Sequence, residues 1–205
     1  MLASRSLVGR RHRGAEGMSI AGTSDSLVQL LRTRLTETGG LDGYTVSVMA
    51  TRDVRPNLQN RIGVLLYRVG LDRTRRHLDL PRAAPTAPAR SALGVELHYL
   101  LVVWGRNSAE GEQVMLGRCM QILDRYAVLS GPLLSPSYAW EAGTALQVSV
   151  DALENEDFLR LWDGFEGPPQ LSVPYLVRTV RLAPVEQTEA PMVETRTLLG
   201  VPAVP

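Results

Sequence analysis

The chain has 205 residues, 44% of them hydrophobic, with a single cysteine and a formal net charge of +1. That length and apolar content bury one good core, and the near-zero charge supplies no overall field to draw the chain onto nucleic acid or an anionic membrane. Cys119 alone excludes an intrachain disulfide framework and an all-cysteine metal site and fits a reducing compartment, and no run reaches the ~18 apolar residues of a membrane span. All 22 basic residues are arginine, a bias that reflects a GC-rich genome more than selection for bidentate contacts.

Residues 1–23 place Arg10, Arg11, His12 and Arg13 after a very short apolar patch, the reverse of a secretory signal. They are expected to form a disordered basic arm, with Met18 as an alternative start. The domain is expected to span 24–184. Ser24 can cap a helix whose Leu27, Leu30, Leu31 and Leu35 follow helical spacing, and Gly39-Gly40 can end it. Tyr44–Ala50 and Ile62–Val69 then read as two short strands joined by a polar loop. From Asp72 to Ser91 the chain is rich in Arg, Pro and Ala without an apolar period, so it reads as a long exposed connection.

Leu93–Trp104, LGVELHYLLVVW, predicts a central strand on the order of 35 Å long. Val95, Leu97, Tyr99, Leu101 and Val103 face one way, and Glu96, His98, Leu100, Val102 and Trp104 the other. The run starts amphipathic and ends apolar on both faces, so its far half must be covered from both sides. Ala109–Leu129 has helical spacing through Leu116, Cys119, Met120, Leu123 and Tyr126, and Gly131-Pro132 stops it. Thr144–Val150 alternates as a strand. Asp151 and Glu154 form a capping-box-like pair before a helix with the bulky stripe Phe158, Leu159, Trp162 and Phe165. Leu171–Leu182 is the last strand of the domain; its Pro174 removes a ladder donor and suggests an edge or a bulge. Residues 185–205 form a tail with a β-capable stretch, Met192–Val201.

A search for chemistry finds little. With no lysine there is no Walker-type loop, and no dinucleotide fingerprint, nucleophile elbow or helical metalloprotease pair is present. His12, His77 and His98 are far apart and lack ligand spacing. His98, mid-strand, reads first as a packed or interface histidine; a catalytic role would require it to meet Glu96 or Asp151 in a pocket. Cys119 reads as a small core residue, and Glu154, Glu156 and Asp157 as carboxylates favoured at a helix start. No cofactor and no metal is expected, and the residues by themselves describe an α/β domain without an active site.

The succession IGVLLYRV, LGVELHYLLVVWG, MLGRCMQILDRYAVL, LQVSVDALENEDFLRLWDGF and QLSVPYLVRTVRL resembles the cap, or tail-terminator, proteins of phage-tail-like contractile injection systems. The likeness covers most of Ser24–Leu182 and omits the Arg/Pro connection, WGRNSAEGEQ and both tails. It implies an α/β (α+β) single domain with a mixed, mostly antiparallel sheet packed by about three helices. It also implies a non-enzymatic protein that forms a ring, six-fold by family resemblance, and ends the sheath and inner tube. Its partners would be itself and the sheath and tube proteins, with no nucleic acid and no membrane, and it would assemble in the cytoplasm into particles.

A protein that stops a polymer needs one surface matching the last layer and another that offers no further site, and strand edges suit the first need. The expected contacts are Pro174, Tyr175, Arg178 and Arg181 on the last strand, and Met192, Leu198, Leu199 and Val201 in the tail. Two alternatives stand beside this reading: a free-standing protein-interaction module, and a hydrolytic enzyme using His98.

Overall fold

Strand-like alternation in the middle of the chain and helical stripes around it produce one mixed sheet with helices on both faces. The computed structural model describes residues 19–38, 43–55, 58–72, 77–79, 91–105 and 108–182. In chain order these form α1 (Ser19–Glu37), β1 (Thr45–Met49), β2 (Arg61–Leu71), β3 (His77–Asp79), β4 (Ser91–Trp104), α2 (Ala109–Arg125), β5 (Val128–Ser130), β6 (Ala145–Val150), α3 (Asn155–Asp163) and β7 (Ser172–Leu182). The sheet order is β1-β2-β4-β7-β6-β5, with β3 also paired to β4. Only β1 and β2 run parallel; the other pairs are antiparallel. This is the expected α+β architecture.

Side chains alternate across β4 as the sequence pattern requires. Val95, Leu97, Tyr99, Leu101 and Val103 join the larger core, built with Leu27, Leu31 and Leu35 of α1 and Leu116, Cys119 and Leu123 of α2. Leu100, Val102 and Trp104 face a second cluster closed by Trp162, Phe158, Leu161 and Phe165 of the α3 segment. Gly63 of β2 is needed on that face, because a Cβ there would stand 2.5 Å from the Met49 sulfur and 3.0 Å from the Trp104 ring.

Several expectations are corrected by tertiary contacts. Ser24 does not cap α1: the helix already runs from Ser19, so residues 19–23 are folded and not part of an arm. Ser24 is buried, bonding the Ile20 carbonyl (3.3 Å) and sharing a hydrogen bond with the Tyr99 hydroxyl (2.8 Å). β2 is 11 residues long, not short. The supposed exposed connection contains β3, which pairs with Ser91–Leu93, and the buried Asp72, whose amide donates to Gly94; residues 73–76 and 80–90 lie outside the described residues. α2 stops at Arg125, and Val128–Ser130 leaves the helical period to pair with β6, since a strand partner outweighs local propensity.

Asp151 makes no capping box, because Glu154 is the N-cap of α3, without a side-chain cap bond, and the Asp151 carboxylate turns to His98. Leu159 is 56% exposed; Leu161 packs in its place.

The edge expected at β7 is absent: β7 lies between β4 and β6. Pro174 is tolerated there for a specific reason. Its carbonyl accepts from the Asp151 amide, just past the last β6 pair, Val150 with Tyr175. In an extended strand the nitrogen of a residue points to the same side as its carbonyl, so the missing donor falls where the β6 ladder has ended. A register shift does occur in β7, between the Val95–Val180 and Leu97–Val177 pairs.

Candidate interaction surface

The second face of the sheet divides into a covered half and an open half. α3 covers the end of β4 that carries Leu100, Val102 and Trp104, and Trp162 is 2% exposed beneath it, its indole nitrogen donating to Ser172 (3.3 Å). Toward the start of β4 the same face turns polar, presenting Glu96, His98, Arg68, Gln147, Ser149 and Arg178. Arg178 is exposed and pairs across strands with Glu96 at 3.0 Å. Of the residues expected to make contacts, Arg178 and Arg181 lie on this open half beside Gly94–His98. Pro174 is half-buried next to Leu100, and Tyr175 is corrected outright: it points to the opposite face and is buried in the main core. Met192, Leu198, Leu199 and Val201 lie outside the described residues.

At the border of the two halves His98 and Asp151 meet, Nδ1 to Oδ2 at 2.7 Å, and the Tyr67 hydroxyl donates to the same carboxylate oxygen at 3.3 Å. Both side chains are largely covered, at 12% and 16% exposure. Tyr67 is tilted against the imidazole with ring centres 6.0 Å apart. Burial and the Asp151 charge push its hydroxyl up to about 12. The second ring nitrogen of His98 faces Gly70 of β2, 3.7 Å from where a Cβ would stand there. Asp151 rather than Glu96 is thus the histidine's partner, and the arrangement ties β4 to the β6–α3 connection and to β2. The sequence placed Asp151 at a helix cap and also offered it, beside Glu96, as a partner for His98; with 53 positions between them, no local signal could choose between the two carboxylates. Among the described residues no cluster of three or more His, Cys, Asp or Glu could hold a metal ion.

Among the described residues the sheet order ends at β1 and β5, and β3, paired only to β4, leaves a further short edge. β1 is five residues long, and Arg32 donates to its Val46 carbonyl at 2.9 Å, partly blocking a further strand. β5 has three residues and an exposed Val128. On the helix face, Val69, Leu71 and Leu93 are exposed by 49%, 47% and 39%, an apolar row where β2 and β4 extend beyond the buried core. Such a row on an otherwise charged surface suits a protein partner.

Residues 22–195 match the family model described as the Pvc16 N-terminal domain. The chain belongs to this family. The matched range runs past Pro184, where the sequence pattern suggested that the domain ends. Two solved structures share the Pvc16 N-terminal domain fold seen here. One is the sheath/tube terminator of an extracellular contractile injection system, PVC, in its extended state: TM-score 0.56, 14% identity, covering 90% of this chain and 64% of that one. The other is the tube-terminating cap of the anti-feeding prophage: TM-score 0.52, 15% identity, covering 89% of this chain and 62% of that one. The chain therefore spans less than two thirds of the length of either. No curated protein matches it in sequence.

Proposed function

We propose that this chain acts as the cap of a contractile injection particle, forming a ring that ends the sheath and inner tube and stops their polymerisation. The observation that carries this is the membership of residues 22–195 in the Pvc16 N-terminal domain family, joined to a shared fold with two proteins that terminate tubes of such particles. Six copies suit the resemblance seen in the sequence. The surfaces suit it too: one sheet face is half open, and the free edges are short or obstructed, so a further layer finds little to extend.

In this reading the partners are further copies of the chain and the sheath and inner-tube subunits, assembled in the cytoplasm into particles. The role is structural. Arg178 and Arg181 meet a neighbour on the open half-face, and Met192, Leu198, Leu199 and Val201 give the tail a strand to donate. The histidine-centred alternative gains the His98–Asp151 pair that it requires, but both side chains are largely covered and offer a substrate little access.

The test is to delete the chain from the producing cell and image the particles. Sheaths and tubes of irregular length with open ends are expected. Uniform particles with closed ends would overturn the reading. Removing only the residues after Pro184 separates the tail from the domain: loss of capping assigns the contact to the tail, and normal capping assigns it to the folded surface.

A further inference from the structure

On the outside of the helical layer, where the end of α1 meets α2, a cleft of about 330 Å³ is lined by Thr38, Arg118, Gln121, Ile122 and Arg125. Arg118 and Arg125 are exposed, and among the described residues neither has a carboxylate within ion-pair distance. Arg125 stacks 5.9 Å from the centre of the Tyr126 ring, and Arg34 lies 4.7 Å from the same centre. Arg125, in the last turn of α2, is favoured there by the helix dipole. Arg118 is in the middle of the helix, where the dipole gives no reason for a cation.

The opposite side of the sheet carries the complement. α3 and the turn after it expose Glu154, Glu156, Asp157, Asp163 and Glu166 around a single cation, Arg160, which is already paired with Glu156 at 2.6 Å. Among these carboxylates Leu159 is an apolar side chain, 56% exposed. The cleft offers Ile122, half-buried, between its arginines.

We propose that the basic cleft between α1 and α2 of one copy receives the acidic α3 face of the next, with Leu159 seated against Ile122. The inference deepens the cap reading and rests on it. Because the two patches lie on opposite faces of one sheet, a copy cannot satisfy both in a two-fold pair. The contact is head-to-tail and leaves an unused patch at each end until a ring closes. Fixed opposite charges set orientation and speed encounter, and the contact weakens with salt because its charges are exposed.

The experiment uses two charge-reversed forms of the full chain: Arg118→Glu with Arg125→Glu, and Glu154→Arg with Asp157→Arg. All four side chains are exposed, so the fold is retained, which circular dichroism checks. Each form alone keeps one functional patch and should lose self-association by at least about tenfold. Mixed, they should co-assemble in sedimentation velocity, because the unaltered cleft of one form meets the unaltered helix of the other and the two reversed patches are complementary as well. A chain carrying all four reversals should recover self-association. If the single forms self-associate as the wild type does, or if the mixture and the four-fold form both stay monomeric, the contact is wrong. Intact wild-type rings alongside unaffected single forms would reject the contact and leave the cap reading standing. Assembly of the mixed forms with no wild-type ring at particle ends would keep the contact and reject the ring.

Discussion

The face covered by α1 and α2 and the face carrying α3 start from alternate residues of the same strand, yet they are closed to different depths. On the first, two long helices bury β4 along most of its length, from Val95 to Val103. On the second, nine helical residues cover only the Leu100–Trp104 end, and the rest stays polar. The strand sequence already contains the difference: Glu96 and His98 precede Leu100, Val102 and Trp104 on that face, so apolar area to be covered exists at one end only. A face covered in full serves stability, whereas a face covered by half leaves backbone and charge available to a neighbour.

The largest effect expected from breaking this arrangement is at Trp162. It alone among the α3 side chains is fully buried, so Trp162→Ala should cost about 3–5 kcal/mol in urea unfolding. A loss below about 1 kcal/mol would mean that α3 is held by something other than this cluster.

Next comes the polar tie at the border. His98→Ala removes the Nδ1 partner of Asp151 but leaves Tyr67, so the cost should be about 1–2 kcal/mol, read from the same unfolding curves. A value near that of Trp162→Ala would show that the histidine, not the tryptophan, fixes α3.

Alkaline pH sharpens the contrast from the other side. Burial raises the thiol of Cys119 and the hydroxyl of Tyr175 to about 12 and that of Tyr99 further still, all in the main core, while Tyr67 is the corresponding group on the second face. Each is raised in the folded chain above its unfolded value, so the unfolded chain binds fewer protons at high pH. The stability from these groups is complete below the unfolded values of 9.0 for the thiol and 10.0 for the phenols, and is lost as pH rises toward about 12. The unfolding midpoint should therefore fall between neutral pH and pH about 11, and less so in Cys119→Ala measured against its own neutral value. An unchanged pH profile in that variant would show that the thiol is not held above its ordinary range.

The smallest effect belongs to the open half. Arg178→Ala breaks an exposed cross-strand pair with Glu96 and should change stability by less than about 1 kcal/mol. If it also leaves capping of particles unchanged, that half-face is not a contact.

The central strand and its two faces were legible in the sequence because a period of two repeats over enough residues to exclude a helix, and the stripe of α1 was legible for the same reason at its own period. The polar residues were read less well. Ser24 and Asp151 both have the chemistry of a helix cap, and both serve distant partners instead, Tyr99 and His98. Of the contact residues, Arg178 was placed on an open surface, but Tyr175 was not, since the bulge in β7 and the pairing to β4 and β6 decide which way each side chain points.

By itself the sequence determined the repeating elements, the split character of β4 and the order of motifs that marks the family, since each depends on residues close together in the chain. Only the tertiary structure decided that β7 is internal, that Val128–Ser130 pairs as a strand, that His98 meets Asp151, and that a basic cleft and an acidic helix lie on opposite faces. Those outcomes turn on which distant segments become neighbours, and a local pattern of hydrophobicity or capping carries no term for that choice.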